Sequence, residues 1–278
     1  MFWKKKIILD FDGTLTDTNK EAKPYLEKFI ALFSEQTGYQ VSRLDEQVEE
    51  RRGEILKDPH RGWEVNGKIV APAHADPYVL NYTIYMELMD KYDIDKCYNL
   101  PPTIQEKEAF LSSLFHECYP FADTVFKPGA KEFLERVSCE YDVVIVTNSK
   151  MDAVQNKLAK LGKFDIPIIG NAQKYLVDDA FVELPEFIEI QGLPRPVLLR
   201  RKAYKVVLDD LMEEGFTPEN TTVIGDIFEL DLALPNYLGY RTVLFNSTDD
   251  NQHHASKALK KINSSMTEIY NQIQDVFN

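Results

Sequence analysis

The chain has 278 residues, 44% of them hydrophobic, and sets 32 Lys plus Arg against 45 Asp plus Glu for a formal net charge of −13. That length supports one large core or two domains. The charge excludes the basic footprint of a nucleic-acid-binding protein, but not a small phosphorylated ligand held by a metal and a few local cations.

The N-terminus, MFWKKKIILDFDG, has a basic start and an apolar run broken by Asp10, so it does not read as a signal peptide. Ile7 to Leu9 predicts a short buried parallel strand ending in the polar turn Asp-Phe-Asp-Gly. From 18 to 122 the pattern turns helical. Tyr25, Phe29, Leu32 and Phe33 share a face within 24–36, and 79–92 and 106–119 repeat the style. Pro24, Pro77 and the Pro101-Pro102 pair fit helix starts or linkers. Further helices are expected over 127–137, 153–160 and 201–214, and further apolar strands over 141–146, 221–224 and 241–245. Between 170 and 196 the pattern is irregular, with short strands expected at Tyr175 to Val177 and Phe181 to Glu183. From Ala255 onward, Leu259, Ile262, Met266, Ile269 and Ile273 fall on one face of an amphipathic helix. Strands alternating with helices predict an α/β fold, a Rossmann-like parallel sheet. The expected organisation is a core of 1–17 and 123–278 carrying an inserted, mostly helical domain over 18–122. Cys97, Cys118 and Cys139 include no C-x-x-C pair, and no run of 18 apolar residues appears. The expected setting is therefore cytoplasmic, with no membrane partner.

In an open parallel sheet, ligands bind beyond the carboxyl ends of the strands. Asp10, Thr147 and Asp226 all fall at such ends and can converge although they are distant in sequence. Asp10 is suited to nucleophilic attack on phosphorus. Asp12, two residues on, could protonate the leaving alkoxide and later activate water. Asp10, Asp226 and the backbone carbonyl of Asp12 form a hard-oxygen set suited to Mg²⁺. Each fragment alone also reads blandly, as an acidic turn, a helix cap or a loop; their order and their placement at strand ends favour catalysis.

DFDGTLT at 10–16, VIVTNS ending in Thr147-Asn148-Ser149, and GDIFELD carrying Asp226 and Asp231 together resemble the motifs of the haloacid dehalogenase-like hydrolase superfamily, over roughly residues 4–16 and 124–248. The resemblance implies that Asp10 is nucleophile and metal ligand, and that Asp12 is acid/base and binds metal through its carbonyl. It implies further that Thr147 and the N–H of Asn148 bind a phosphoryl oxygen, that Asp226 ligates magnesium, and that Asp231 supports the shell. The inserted segment matches the position of that family's first type of helical cap, with Asn19, Lys20 and Lys23 just after the first motif. The third motif departs from the pattern. A Lys, often in Lys-Pro, is usual; here Arg195-Pro196 has Arg, and the cluster Arg200-Arg201-Lys202 lies nearer to Asp226. Arg201 is favoured as the catalytic, phosphate-binding cation, then Lys202, then Arg195, although Arg is not a geometric equivalent of Lys.

His60, His74 and His116 show no metal-ligand spacing, Tyr78, Tyr82 and Tyr85 read as core, and Trp63 in RGWEVNG is a weak specificity-loop candidate. The expected activity is a Mg²⁺-dependent phosphomonoesterase working on a small phosphorylated molecule. A phosphomutase of the same superfamily, needing the same Asp pair, and a non-catalytic binding protein on the same fold are the rivals.

Overall fold

The computed structural model describes residues 5–92, 99–190, 193–212, 215–245, 268–270 and 272–276. In chain order the elements are β1 (Lys6–Leu9), α1 (Thr18–Thr37), α2 (Val41–Lys57), β2 (Gly62–Val65), β3 (Lys68–Pro72), α3 (Pro77–Tyr92), α4 (Ile104–Cys118), α5 (Ala130–Glu140), β4 (Asp142–Val146) and α6 (Met151–Leu161). They continue with β5 (Ile168–Ile169), β6 (Phe187–Ile188), β7 (Val197–Leu198), α7 (Lys202–Asp210), β8 (Thr221–Gly225), α8 (Ala233–Tyr237), β9 (Arg241–Phe245) and β10 (Glu268–Tyr270).

A six-stranded sheet runs in the order β10-β9-β8-β1-β4-β5, with every pairing parallel. All four residues of β1 are buried because β1 is central, flanked by β4 and β8. The strands are apolar on both faces because helices cover both. Ile8, Val144, Val146 and Val223 pack on one side with Tyr204 and Leu208 of α7. Ile7, Leu9, Val143 and Ile145 pack on the other with Phe133 and Leu134 of α5 and Leu158 of α6. The chain leaves β1 for β4 on one side and later returns to β8 on the other. That reversal opens a crevice at the carboxyl end of β1, where α/β sheets take ligands.

Compact units divide the chain into 1–17 with 64–72 and 126–278, and 18–63 with 73–125. The second unit is a helical body. Tyr25, Phe29 and Phe33 of α1 meet Ile84 and Tyr85 of α3, Leu111 and Leu114 of α4, and Leu44, Val48 and Ile55 of α2. Tyr85 sits 4.7 Å, ring centre to ring centre, from both Phe29 and Phe33. Thr103 caps α4 in a reciprocal capping box with Glu106.

Several local expectations change. Pro24 lies inside α1 rather than at its start. The helix runs through a residue that lacks the N–H for the carbonyl four positions back, and burial of Tyr25, Phe29 and Phe33 outweighs that loss. The sequence expectations contain no counterpart of α2, β5 or α8, nor of the β2–β3 hairpin turning at Asn66-Gly67, where both residues have positive φ. Trp63 belongs to β2 of that hairpin. The segments 175–177 and 181–183 are turn and irregular backbone rather than strands, and the antiparallel pair forms later, between β6 and β7. In the tail, 268–270 is a strand extending the sheet beside β9, and Ile273 and Val276 are buried against α5's face. A free sheet edge that pairs and buries two apolar side chains outcompetes one amphipathic helix here; the rest of the expected helix lies outside the described residues. No helix among the described residues is long and apolar enough to cross a membrane.

Leu134 of α5 is fully buried in the face under β1 and β4. Leu134→Ala should destabilise the protein by about 2–5 kcal/mol, the range for a leucine truncated in a packed core. Urea unfolding monitored by circular dichroism measures this; a change below about 1 kcal/mol would mean that α5 is not seated as described.

Candidate active site

Asp10 follows β1, and its backbone N–H still donates to Ile224 O at 2.9 Å, so the sheet fixes where its side chain begins. Its carboxylate is 8% exposed. Thr14 donates to Asp10 Oδ2 at 2.9 Å and lies 3.3 Å from Asp226 Oδ1. Lys174 Nζ donates to Asp10 Oδ1 and to Asp231 Oδ1, both at 2.7 Å, and is itself 1% exposed. The second oxygen of Asp231 accepts the N–H of Ile227 at 3.0 Å. Both oxygens of Asp231 are therefore engaged, which leaves Asp226 the freer of the two carboxylates beyond β8. Two glycines admit these approaches. Gly13 has φ +84°, and a Cβ there would lie 2.1 Å from Asp226 Oδ2; a Cβ on Gly225 would lie 2.4 Å from Asp231 Cβ.

Asp12 faces a different set of partners. Ser149 donates to its Oδ2 at 2.7 Å, Lys157 of α6 donates to its Oδ1 at 2.8 Å, and Thr147 Oγ1 lies 3.4 Å away. Thr147 also accepts the N–H of Ser149 at 3.1 Å, and the Asn148 side chain accepts the N–H of Lys174 at 2.8 Å. Asp10, Asp12, Thr147, Asn148, Asp226 and Asp231 are thus brought together at one end of the sheet.

The basic residues expected beside them are placed otherwise. Arg201 is fully buried and donates to the carbonyls of Leu198, Lys174 and Val70. Lys202 is largely exposed, 4.0 Å from Asp178. Arg195 donates to both carboxylate oxygens of Glu229, at 2.6 and 2.7 Å. Arg200 reaches the carbonyls of Leu184 and Asp179. The cation against Asp10 is Lys174, which the sequence reading passed over. Lys174 follows β5, whose apolar run closes in Gly170-Asn171, the same signature that marks the ends of β1, β4, β8 and β9. Lys127, mostly buried, donates to the Gly13 carbonyl and lies 4.4 Å from the centre of the Phe245 ring.

The profile of the haloacid dehalogenase-like hydrolases matches residues 4–239. The chain belongs to that family. Among solved structures it is similar to a protein from Bacillus subtilis assigned as a HAD-hydrolase and described bound to magnesium, with interdomain movement (15% identity, 99% of this chain and 97% of that one, TM-score 0.58). It is also similar to a protein from Thermotoga maritima assigned as a β-phosphoglucomutase (16% identity, 98% and 97%, TM-score 0.52). At these identities the likeness speaks for the fold. No curated protein sequence matches the chain.

The hydrolase site fits a hard divalent cation. Asp10, Asp226 and Asp231 each offer a carboxylate oxygen, all within 4.8 Å of one another. Their charge is not balanced by the lysines alone. Burial raises Asp10 to about 7, with Lys174 pulling it down and Asp231 and Asp12 pushing it up. Burial, then Asp10 and Asp231, hold Asp226 well above the ordinary carboxylate range. Burial by itself would lower Lys174, but Asp10 and Asp231 outweigh it and keep the ammonium charged.

These directions set a pH dependence. An acid whose folded pKa exceeds its unfolded value holds more protons when folded, so stability falls as pH rises between the two values. For Asp10 that window runs from 3.8 to about 7. The chelator-treated hydrolase should lose melting temperature across this window, and Asp10→Asn should flatten the decline. Differential scanning fluorimetry in metal-free buffer measures both; equal slopes for the two proteins would contradict the charge balance described here.

Lys174→Ala should lower kcat/KM by about 30-fold or more, since losing a buried charged partner costs roughly 2–5 kcal/mol. Lys202→Ala should stay within about twofold, as expected of a solvated lysine. Steady-state kinetics on folded variants decides; the reverse ranking would return the third motif to the Arg200–Lys202 cluster.

Proposed function

We propose that this hydrolase is a Mg²⁺-dependent phosphomonoesterase that acts on a small phosphorylated metabolite through an aspartyl-phosphate. The observation that carries this reading is the second carboxylate. A halide departs from carbon without a proton, so an acid two residues after the nucleophile serves ester cleavage and is idle in dehalogenation. Asp12 is held by Ser149, Thr147 and Lys157, while Asp10 is held by Thr14 and Lys174. Two neighbouring carboxylates thus have different partners, which suits them to different tasks.

Asp10 attacks phosphorus and the bond to the ester oxygen breaks. Asp12 gives that oxygen its proton. Asp12 then takes a proton from water, which attacks the phosphorus of the aspartyl-phosphate, frees inorganic phosphate and restores Asp10. Thr147 Oγ and the N–H of Asn148 hold a phosphoryl oxygen, and Lys174 answers the charge at the reacting group. Asp10, Asp226 and the carbonyl of Asp12 would hold Mg²⁺, with Asp231 supporting through Lys174. The ion supplies charge neutralisation and orientation of the phosphoryl oxygens. Choice of the leaving group is assigned to the inserted helical unit, as lids in general exclude water and select substrates.

The wild-type protein should release phosphate from members of a panel of small phosphate monoesters, only with Mg²⁺ and not after chelation. Asp10→Asn should lose at least about a thousandfold in kcat, the scale of removing a catalytic nucleophile. Colorimetric phosphate detection measures both. Wild-type rates in the variant would remove Asp10 from the mechanism, and isomerised sugar phosphate without free phosphate would make the enzyme a mutase.

A further inference from the structure

Arg201 is the largest of the fully buried side chains. Its hydrogen bonds go to backbone carbonyls rather than to a carboxylate: Nε to Leu198 at 3.1 Å, Nη2 to Val70 at 2.8 Å, and Nη1 to Lys174. A buried guanidinium is expensive, and an apolar side chain of similar volume would fill the space at lower cost. What the guanidinium adds is geometry. Its rigid fork fixes three strands of backbone to one plane.

One of those strands is the segment that carries Lys174. It is not regular structure. Asn171 and Gln173 both have φ of 50°, the left-handed region that non-glycine residues adopt only when their surroundings hold them there. The holding groups are countable. The N–H of Asn171 donates to Ser149 O and that of Ala172 to Thr147 O, both at 2.9 Å. The N–H of Lys174 donates to the Asn148 side chain at 2.8 Å, and its carbonyl accepts from Arg201. Every one of these partners but Arg201 comes from 147–149, the turn that bears Thr147. Arg201 adds the hold on the Lys174 carbonyl, where 147–149 holds the N–H groups that precede it. With Nη2 it takes the carbonyl of Val70 in β3, a strand that packs beside the 228–232 turn carrying Asp231. The two carboxylates that Lys174 bridges are thus set by β1 and by that turn, and the lysine's own backbone is set by 147–149 and by Arg201.

We propose that Arg201 is a positioning residue for phosphoryl transfer: it clamps the 171–174 segment and the β2–β3 hairpin together so that the Lys174 ammonium stays between Asp10 and Asp231. The proposal rests on the phosphatase reading for its kinetic consequence, though not for the clamp itself.

The test uses the full chain and two substitutions, Arg201→Met, which keeps length and loses every donor, and Arg201→Lys, which keeps charge and loses the fork. Hydrogen–deuterium exchange followed by mass spectrometry should show faster exchange over 171–176 in both, with β1 and β8 unchanged. On folded protein, kcat should fall about 10- to 100-fold with KM within about threefold, the scale of a catalytic group misplaced by roughly an ångström. In a Lys174→Met background, Arg201→Lys should lower the residual kcat by less than about twofold, because the group it positions is gone. Exchange over 171–176 that does not change in either variant overturns the clamp. A kcat loss that repeats in full in the Lys174→Met background, or no kcat loss at all, overturns the positioning role and leaves Arg201 structural. Absence of phosphate release by the wild type would instead overturn the phosphatase reading, and the exchange result would still decide whether the clamp exists.

Discussion

The site is organised around one buried ammonium. Lys174 Nζ lies 2.7 Å from an oxygen of Asp10 and 2.7 Å from an oxygen of Asp231. Asp226 belongs to the same cluster, within 4.8 Å. Three carboxylates at that spacing repel one another and lose hydration as well. With an effective dielectric of about 20, two unit charges about 3 Å apart interact by roughly 5–6 kcal/mol. Desolvation costs several kcal/mol per buried ion. No single carboxylate in the cluster can therefore be treated alone. The lysine makes the cluster foldable, and burial first, then the neighbouring carboxylates, raise Asp10 and Asp226, so that a cation placed among them would favour their charged forms.

Such an arrangement demands close approach, and the backbone supplies it. The positive φ of Gly13 lets the loop after β1 turn under Asp226, where any side chain would occupy the space of the carboxylate. Gly225 ends β8 against the side chain of Asp231 in the same way. The irregular 228–232 turn then presents Asp231 to Lys174, with the Tyr204 hydroxyl donating to the Asp231 carbonyl at 2.9 Å. Parallel strands deliver the residues to one edge; the two glycines and this turn bring them from neighbouring to touching.

This division explains how much the sequence revealed. Short apolar runs closed by polar residues marked β1, β4, β8 and β9, and with them Asp10, Thr147 and Asp226. Strand ends are legible because burial on both faces forces a continuous apolar run. Lys174 was missed because β5 has only two residues, and the loop after it follows no periodicity; its conformation comes from hydrogen bonds to 147–149 and from Arg201. Arg201 was misread for the complementary reason. Its place nearer to Asp226 than Arg195-Pro196 made it the favoured phosphate-binding cation, and nothing local says that its side chain turns inward toward three carbonyls. The Asn66-Gly67 turn was the exception, a hairpin signal that stood in the sequence between WEV and KIVA and went unused. α2 was harder to see, because only Leu44, Val48 and Ile55 are buried in a helix otherwise rich in charge.

The two carboxylates of the first motif differ in burial and in partners, and a buried aromatic lies between them. Phe11 is fully buried, packs with Leu9 and Leu15, and meets Phe126 edge-on at 6.3 Å between ring centres. Side chains alternate along an extended chain, so with Phe11 driven into the core its two neighbours cannot follow it. Alternation alone would leave Asp10 and Asp12 on one side; the turn that begins at Asp12 separates their partners. Asp10 reaches Thr14 and Lys174, deep among other carboxylates, whereas Asp12 reaches Ser149 and Lys157 with its side chain 25% exposed. A polar residue at position 11 would remove the apolar contact that pins the turn, and with it the support for the difference in burial that the proposed phosphatase would use for attack and for proton exchange. The apolar residue in the middle of the motif thus anchors in the core the short stretch of backbone from which both acids project.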